Sequence, residues 1–140
     1  MQEWALWALA SAVFAALTAI FAKVGIEGID SNFATFIRTL VIVVALILFL
    51  TYAKKWQSLE TLSAKNWLFL ILSGLATGAS WLAYFKALQI GKASQVAPID
   101  KFSLVLVVVF AVIFLGERPN IKEWLGIGLI ASGVFVLVFK

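Results

Sequence analysis

Long apolar runs separated by short polar breaks set the pattern of this chain. The runs cover residues 4–23, 33–53, 67–87, 96–116 and 124–139. At about 1.5 Å per residue, helices of these lengths match a bilayer core of about 30 Å, with some adjustment at the ends. Strands are far shorter than these continuous runs, so the pattern predicts five helices. Charge touches the runs at few places. Lys23 closes the first, Arg38 interrupts the second, Lys86 closes the third, and Asp100 and Lys101 sit inside the fourth.

The breaks carry turn chemistry. Gly25 to Asn32 holds glycines, acids and Asn32. Lys54 to Asn66 is the longest break and is rich in lysine. Gln89 to Gln95 contains Gly91 and Lys92, and Glu117-Arg118-Pro119-Asn120 reads as a helix stop and turn, with Glu123 in the first turn of the last helix. The whole chain, 1–140, reads as one transmembrane domain without a linker.

Composition narrows the class. Of 140 residues, 64% are hydrophobic and 13% charged, against about 25% charged in a soluble domain. A soluble fold of this length leaves roughly a third of its chain surface in water and could not hide so much apolar area. A soluble enzyme, a nucleic-acid binder and a disordered chain are excluded; the solvent is lipid. The sequence has no cysteine and no histidine, which removes disulfides, Cys or His metal sites and Ser-His or Cys-His catalysis. No catalytic residue, metal or cofactor is expected. Met1-Gln2-Glu3-Trp4 lacks a positive n-region, so the first span is expected to be retained rather than cleaved.

Five spans put the termini on opposite faces of the membrane. The N-terminal face collects Lys54, Lys55, Lys65, Arg118 and Lys122; the other collects Lys23, Lys86, Lys92 and Lys140. Five against four is nearly no instruction under the positive-inside rule, which predicts weak or dual orientation. Trp4, Trp56, Trp67 and Trp124 cluster near the N-terminal face, whereas membrane proteins usually carry aromatic belts at both interfaces. Either Phe and Tyr fill the second belt or an inverted second copy supplies it.

Three stretches carry a family resemblance: Phe33-Ala34-Thr35-Phe36-Ile37-Arg38 entering the second span, Trp81-Leu82-Ala83-Tyr84-Phe85-Lys86-Ala87-Leu88 closing the third, and Ala97-Pro98-Ile99-Asp100-Lys101-Phe102-Ser103 entering the fourth, which ends Phe114-Leu115-Gly116-Glu117-Arg118. The chain resembles, along its whole length, the EamA group of the drug/metabolite transporter superfamily. The resemblance implies an all-α membrane protein that transports small organic metabolites by alternating access. Members usually have ten helices in two five-helix repeats, so this chain looks like half of that inverted-repeat fold. A bacterial or archaeal cytoplasmic membrane is likewise an implication of the resemblance. Transport folds place their site at the interface of inverted repeats. A five-span unit inserted both ways and paired with itself would rebuild that geometry, so an antiparallel homodimer in the lipid bilayer is the leading expectation.

Ionisable groups inside spans are costly and therefore site candidates. Arg38 lies about five residues into the second run; it either serves a site or snorkels to the surface. If Asp100 and Lys101 marked the membrane surface, only Phe102 to Leu115 would remain apolar, about 21 Å and short of the core. They either line a cavity or form a structural ion pair. On a continuous helix, neighbours point about 100° apart, so the two do not make a straight facing pair, and a partner on another span, Arg38 or Lys86, stays open. Pro98 bends or starts its helix and frees a carbonyl. Trp81 and Tyr84 share a helix face and form either an aromatic anchor or the wall of a solute site. Lys86 and Ser103 complete the substrate-binding or gating candidates. Small residues at Ala8, Ala12, Ala15, Ala19, Gly74, Gly78, Gly126, Gly128, Ser132 and Gly133 are expected to form helix contacts.

Lys23, Arg38, Lys86 and Lys101 outnumber Asp100 among embedded or helix-end charges. No glutamate lies inside a run, unlike the small multidrug exporters that bind cations. A neutral, zwitterionic or anionic solute is therefore expected. The alternative is a non-transporting scaffold or subunit that pairs with another five-helix protein; a membrane enzyme ranks last.

Overall fold

The computed structural model describes residues 3–138; Met1, Gln2, Phe139 and Lys140 lie outside the described residues, and with them the predicted end of the fifth run and the lysine counted there. Six α-helices follow one another: α1 (Glu3–Gly25), α2 (Ser31–Ala53), α3 (Ala64–Ile90), α4 (Ala93–Asp100), α5 (Ser103–Phe110) and α6 (Ile121–Val138). A 3-10 turn at Leu59–Thr61 precedes α3, and a π-helical turn at Ala111–Leu115 extends α5. No strand occurs among the described residues. Five stretches are long and apolar enough to cross a membrane: α1, α2, α3, Ala93–Leu115 and α6.

The spans agree with the apolar runs, but their ends differ. Helix α3 starts at Ala64 and continues to Ile90, and α4 opens at Ala93. The break predicted over Gln89 to Gln95 thus shrinks to Gly91 and Lys92. Gln89, Ser94 and Gln95 are polar yet helix-compatible. Amides at Gln95 and Val96 bond the Lys92 carbonyl at 2.9 Å, which closes the first turn of α4. Near a bilayer, backbone groups are best satisfied within a helix, and that outweighs side-chain polarity.

The chain forms two compact units, Met1–Ile90 and Gly91–Lys140. In the first, Asp30 caps α2 by accepting from the amides of Asn32 at 2.9 Å and Phe33 at 3.0 Å, replacing partners the first turn lacks. Gly28, at φ 77°, makes the reversal between α1 and α2. At the other end of α2 the Lys55 amide reaches the Leu50 carbonyl at 3.1 Å, and Lys54 takes the left-handed conformation that such a stop requires.

Burial in this unit concentrates at the α1–α2 turn. Ala19, Ala22, Ile26, Ser31, Ala34, Thr35, Phe85 and Leu88 are buried, Leu88 completely. Ser31, Ala34, Thr35 and Arg38 follow the i, i+3, i+4, i+7 spacing of one helix stripe, and Trp81, Phe85 and Leu88 follow i, i+4, i+7 on α3. The small side chains of Ala19, Ala22 and Ala34 let backbones approach there. Away from this end the apolar side chains are exposed, as lipid-facing surfaces are.

In the second unit the fourth span is broken. Pro98 has no amide to give the Ser94 carbonyl, and its ring crowds that turn. Lys101 bonds Pro98 at 3.1 Å and Phe102 bonds Ile99 at 2.9 Å, both three residues back. This tightening divides α4 from α5. Phe102 meets Phe135 of α6 edge-on at 6.1 Å. The span ends at Gly116, at φ 68°, and α6 opens with a reciprocal cap. Asn120 Oδ1 accepts from Lys122 at 2.9 Å and Glu123 at 3.1 Å, while Glu123 Oε2 accepts from the Asn120 amide at 2.6 Å.

Most of the small residues face open space in the single chain. Ala8, Ala12, Ala15 and Ser132 are exposed, and a Cβ added at Gly74, Gly78, Gly126, Gly128 or Gly133 would meet nothing within 4 Å. Spacing of three and four makes a flat helix face whether or not a neighbour fills it; of Ala8, Ala12, Ala15 and Ala19, Ala19 is buried.

Candidate functional site

The stripes of α1, α2 and α3 converge near the α1–α2 turn around a cavity of about 350 Å³. Its wall includes Thr18, Phe21, Ile26, Ile37, Arg38 and Phe85. Arg38 lies seven residues into α2, about 10 Å along the axis. It shares the stripe of Ser31, Ala34 and Thr35, all buried, so helix geometry turns it inward. Its guanidinium carbon lies 4.2 Å from the centre of the Trp81 ring and 5.3 Å from that of Phe85. Such cation–π contacts contribute about 0.5–2 kcal/mol, more as water is excluded. Among the described residues of its own unit, Arg38 makes no hydrogen bond and has no carboxylate within 4.0 Å. Tyr84 packs edge-on against Phe85, with ring centres 6.4 Å apart.

A polar brace closes this end of the unit. The Lys23 ammonium donates to the Leu88 carbonyl at 2.6 Å, joining the last turns of α1 and α3. The Gln89 side-chain amide donates to the Ile29 carbonyl at 2.9 Å, tying α3 to the α1–α2 turn. Lys86 turns to Gln89 Oε1 at 3.4 Å and stays exposed. Along α2 the Thr35 and Thr39 hydroxyls donate to the Ser31 and Thr35 carbonyls at 2.8 Å. The Ser31 hydroxyl is buried without a partner among the described residues.

Arg38, Trp81 and Tyr84 are thus gathered at one end of the first unit, with Lys86 on its rim. Pro98, Asp100, Lys101 and Ser103 lie together on the second unit, at the break between α4 and α5. There two charged neighbours meet. Lys101 Nζ bonds Asp100 Oδ2 at 3.4 Å, with side chains 50% and 36% exposed. The 100° separation of neighbours holds on a continuous helix; where the helix stops at Asp100, the two side chains meet each other.

Sequence reasoning missed Thr18, Phe21 and Ile26 as cavity wall, and Lys23 and Gln89 as the brace. Thr18 had a visible signal, a hydroxyl seven residues after Ser11 in a run otherwise apolar between Trp4 and Ala22. The brace had none, because its acceptors are backbone carbonyls that every residue carries.

The arrangement offers a cation and a hydroxyl in an apolar recess, which suits recognition of a small solute. Residues 2–139 match the EamA-like transporter family. The chain is 54% identical over 136 residues to an uncharacterized transporter in the cobO 3' region of a Sinorhizobium species, covering 97% of this chain and 96% of that one. It is 28% identical over 136 residues to the uncharacterized transporter YxxF of Bacillus subtilis, covering 96% of this chain but 42% of that relative. It is 29% identical over 126 residues to the uncharacterized protein MJ1333.1 of Methanocaldococcus jannaschii, covering 90% of this chain and 89% of that one. No solved structure matches. Matched over residues 2–139, and with five helices among the described residues able to span a bilayer, the chain is an integral membrane protein of the EamA-like transporter family.

Proposed function

We propose that this protein carries small organic metabolites across the cytoplasmic membrane of a bacterium or archaeon by alternating access, without catalysis, as an antiparallel homodimer of dual topology. The single observation that carries the site is Arg38: a guanidinium stacked on Trp81, without a carboxylate partner among the described residues of its unit, facing a cavity of about 350 Å³. A neutral, zwitterionic or anionic solute fits that wall better than a cation does.

The dimer reading rests on three supports. The chain matches 42% of the length of the Bacillus subtilis relative, so a second five-helix half has room in a longer member. Loop lysines and arginines are nearly balanced between the faces. The faces around Gly74, Gly78, Gly126 and Gly133 have open space before them, which a second copy would fill. In this reading Arg38, Trp81, Tyr84 and Lys86 belong to the solute seat, and Pro98, Asp100, Lys101 and Ser103 to a flexing segment, where a broken helix bends at least cost.

Uptake by purified protein in vesicles tests transport, with amino acids, organic anions and organic cations offered in parallel. Saturable uptake from at least one of the first two classes is expected; transport of permanent cations alone would overturn the reading. C-terminal reporters for each side of the membrane test orientation, and activity on one side only would exclude dual topology. Activity that appears only with a second five-helix protein would identify a subunit instead.

A further inference from the structure

The cavity of the first unit is charged at one point. Arg38 is its one charged lining residue and Thr18 its one hydroxyl; Phe21, Ile26, Ile37 and Phe85 give it an apolar wall, and no Asp or Glu lines it among the described residues. Trp81 and Phe85 cover the guanidinium carbon at 4.2 and 5.3 Å, while its N–H donors are unspent among the described residues of this unit. An unspent guanidinium edge matches the two oxygens of one carboxylate.

We infer that the cavity selects an amphiphilic organic monoanion: a single carboxylate on Arg38, with an aliphatic or aromatic body against the apolar wall. The inference rests on the carrier reading and narrows its substrate. A zwitterion of the same skeleton would bring an ammonium next to Arg38 with no carboxylate to receive it. A dianion would bring a second charge that the wall leaves without a partner, and an organic cation would meet like charge. Each mismatch buries an unpaired charge, the costliest error in recognition. A volume of about 350 Å³ lies at the small end of ligand cavities, about 300–1,000 Å³, which favours a small acid over a bulky drug. The same chemistry could be offered by the phosphate and acyl chain of an anionic lipid, so the experiment separates the two sources.

Purified protein in phosphatidylcholine nanodiscs is titrated with tritiated 4-methylpentanoate. The competitors are leucine, 4-methylpentan-1-amine and adipate, which vary charge on a short aliphatic skeleton, and separate discs contain phosphatidylglycerol. Saturable binding is expected, with each competitor at least tenfold weaker than unlabelled 4-methylpentanoate. Binding is expected to fall a hundredfold in Arg38→Gln and about tenfold in Arg38→Lys, and to persist in phosphatidylglycerol discs. Leucine or the amine competing as well as the acid would overturn the inference, as would binding that phosphatidylglycerol abolishes, which would make the cavity a lipid seat. The wild-type series decides the matter even if a variant does not fold. Selective binding without uptake of any solute would keep this inference and defeat the carrier reading; uptake of amino acids without binding of the acid would do the reverse.

Discussion

Two embedded cations of this chain have opposite fates. Lys101 sits where the fourth span breaks, 3.4 Å from the carboxylate of its own neighbour Asp100, and both side chains reach the surface. Arg38 sits in an unbroken helix, half-buried, with aromatic rings for neighbours and a cavity in front of it. The first charge is answered locally, the second is not. A pair that reaches the surface keeps part of its hydration and answers its own charge, whereas an inward guanidinium with no counter-charge in its own unit is retained at a cost that an anionic ligand would relieve. The contrast separates a charge that serves the helix from one that is available to a solute.

Breaking the second member should have the largest effect. Arg38→Gln removes a charge-assisted pair of hydrogen bonds, each worth about 1.5–3 kcal/mol, so solute binding and uptake should fall by about a hundredfold or more. Trp81→Ala should come next. It removes the ring that positions Arg38, and a loss of about 0.5–2 kcal/mol should weaken binding about 2- to 30-fold, measured by the same titration. Trp81→Phe should keep most of the affinity.

Pro98→Ala restores the amide that the Ser94 carbonyl lacks and should join α4 to α5. If the break is the flexing element, the uptake rate should fall several-fold while equilibrium affinity stays unchanged; a change in affinity alone would move Pro98 into the solute seat. The smallest effect belongs to the Asp100–Lys101 pair. A double-mutant cycle with Asp100→Asn and Lys101→Gln, read by thermal unfolding in detergent, should give a coupling of about 0.2–1 kcal/mol, as exposed pairs do. A coupling several times larger would mean that the pair is shielded and that the contrast with Arg38 is weaker than drawn.

The same contrast shows what could be read from residues alone. The five spans were legible because apolar length is a one-dimensional property, and Arg38 and Trp81 stood out because embedded charge and deep aromatics are rare. What the two do together was not legible, since their meeting depends on how α2 and α3 face each other across 43 positions of sequence. The Asp100–Lys101 pairing is legible only as one of two alternatives, for a local reason. Pro98 marks a bend or a start of the helix, but the sequence does not mark the stop at Asp100 that lets the two neighbours meet. Lys23 and Gln89 were passed over because their partners, Leu88 and Ile29, contribute main-chain carbonyls that no side-chain pattern marks.

The most direct measurement compares uptake by wild-type protein and Arg38→Gln in vesicles, with both proteins inserted at equal density and offered the same organic anions, amino acids and cations. The account predicts saturable uptake of anionic solute by the wild type and its loss in the variant. Equal uptake by both proteins, or uptake of permanent cations alone, would contradict it.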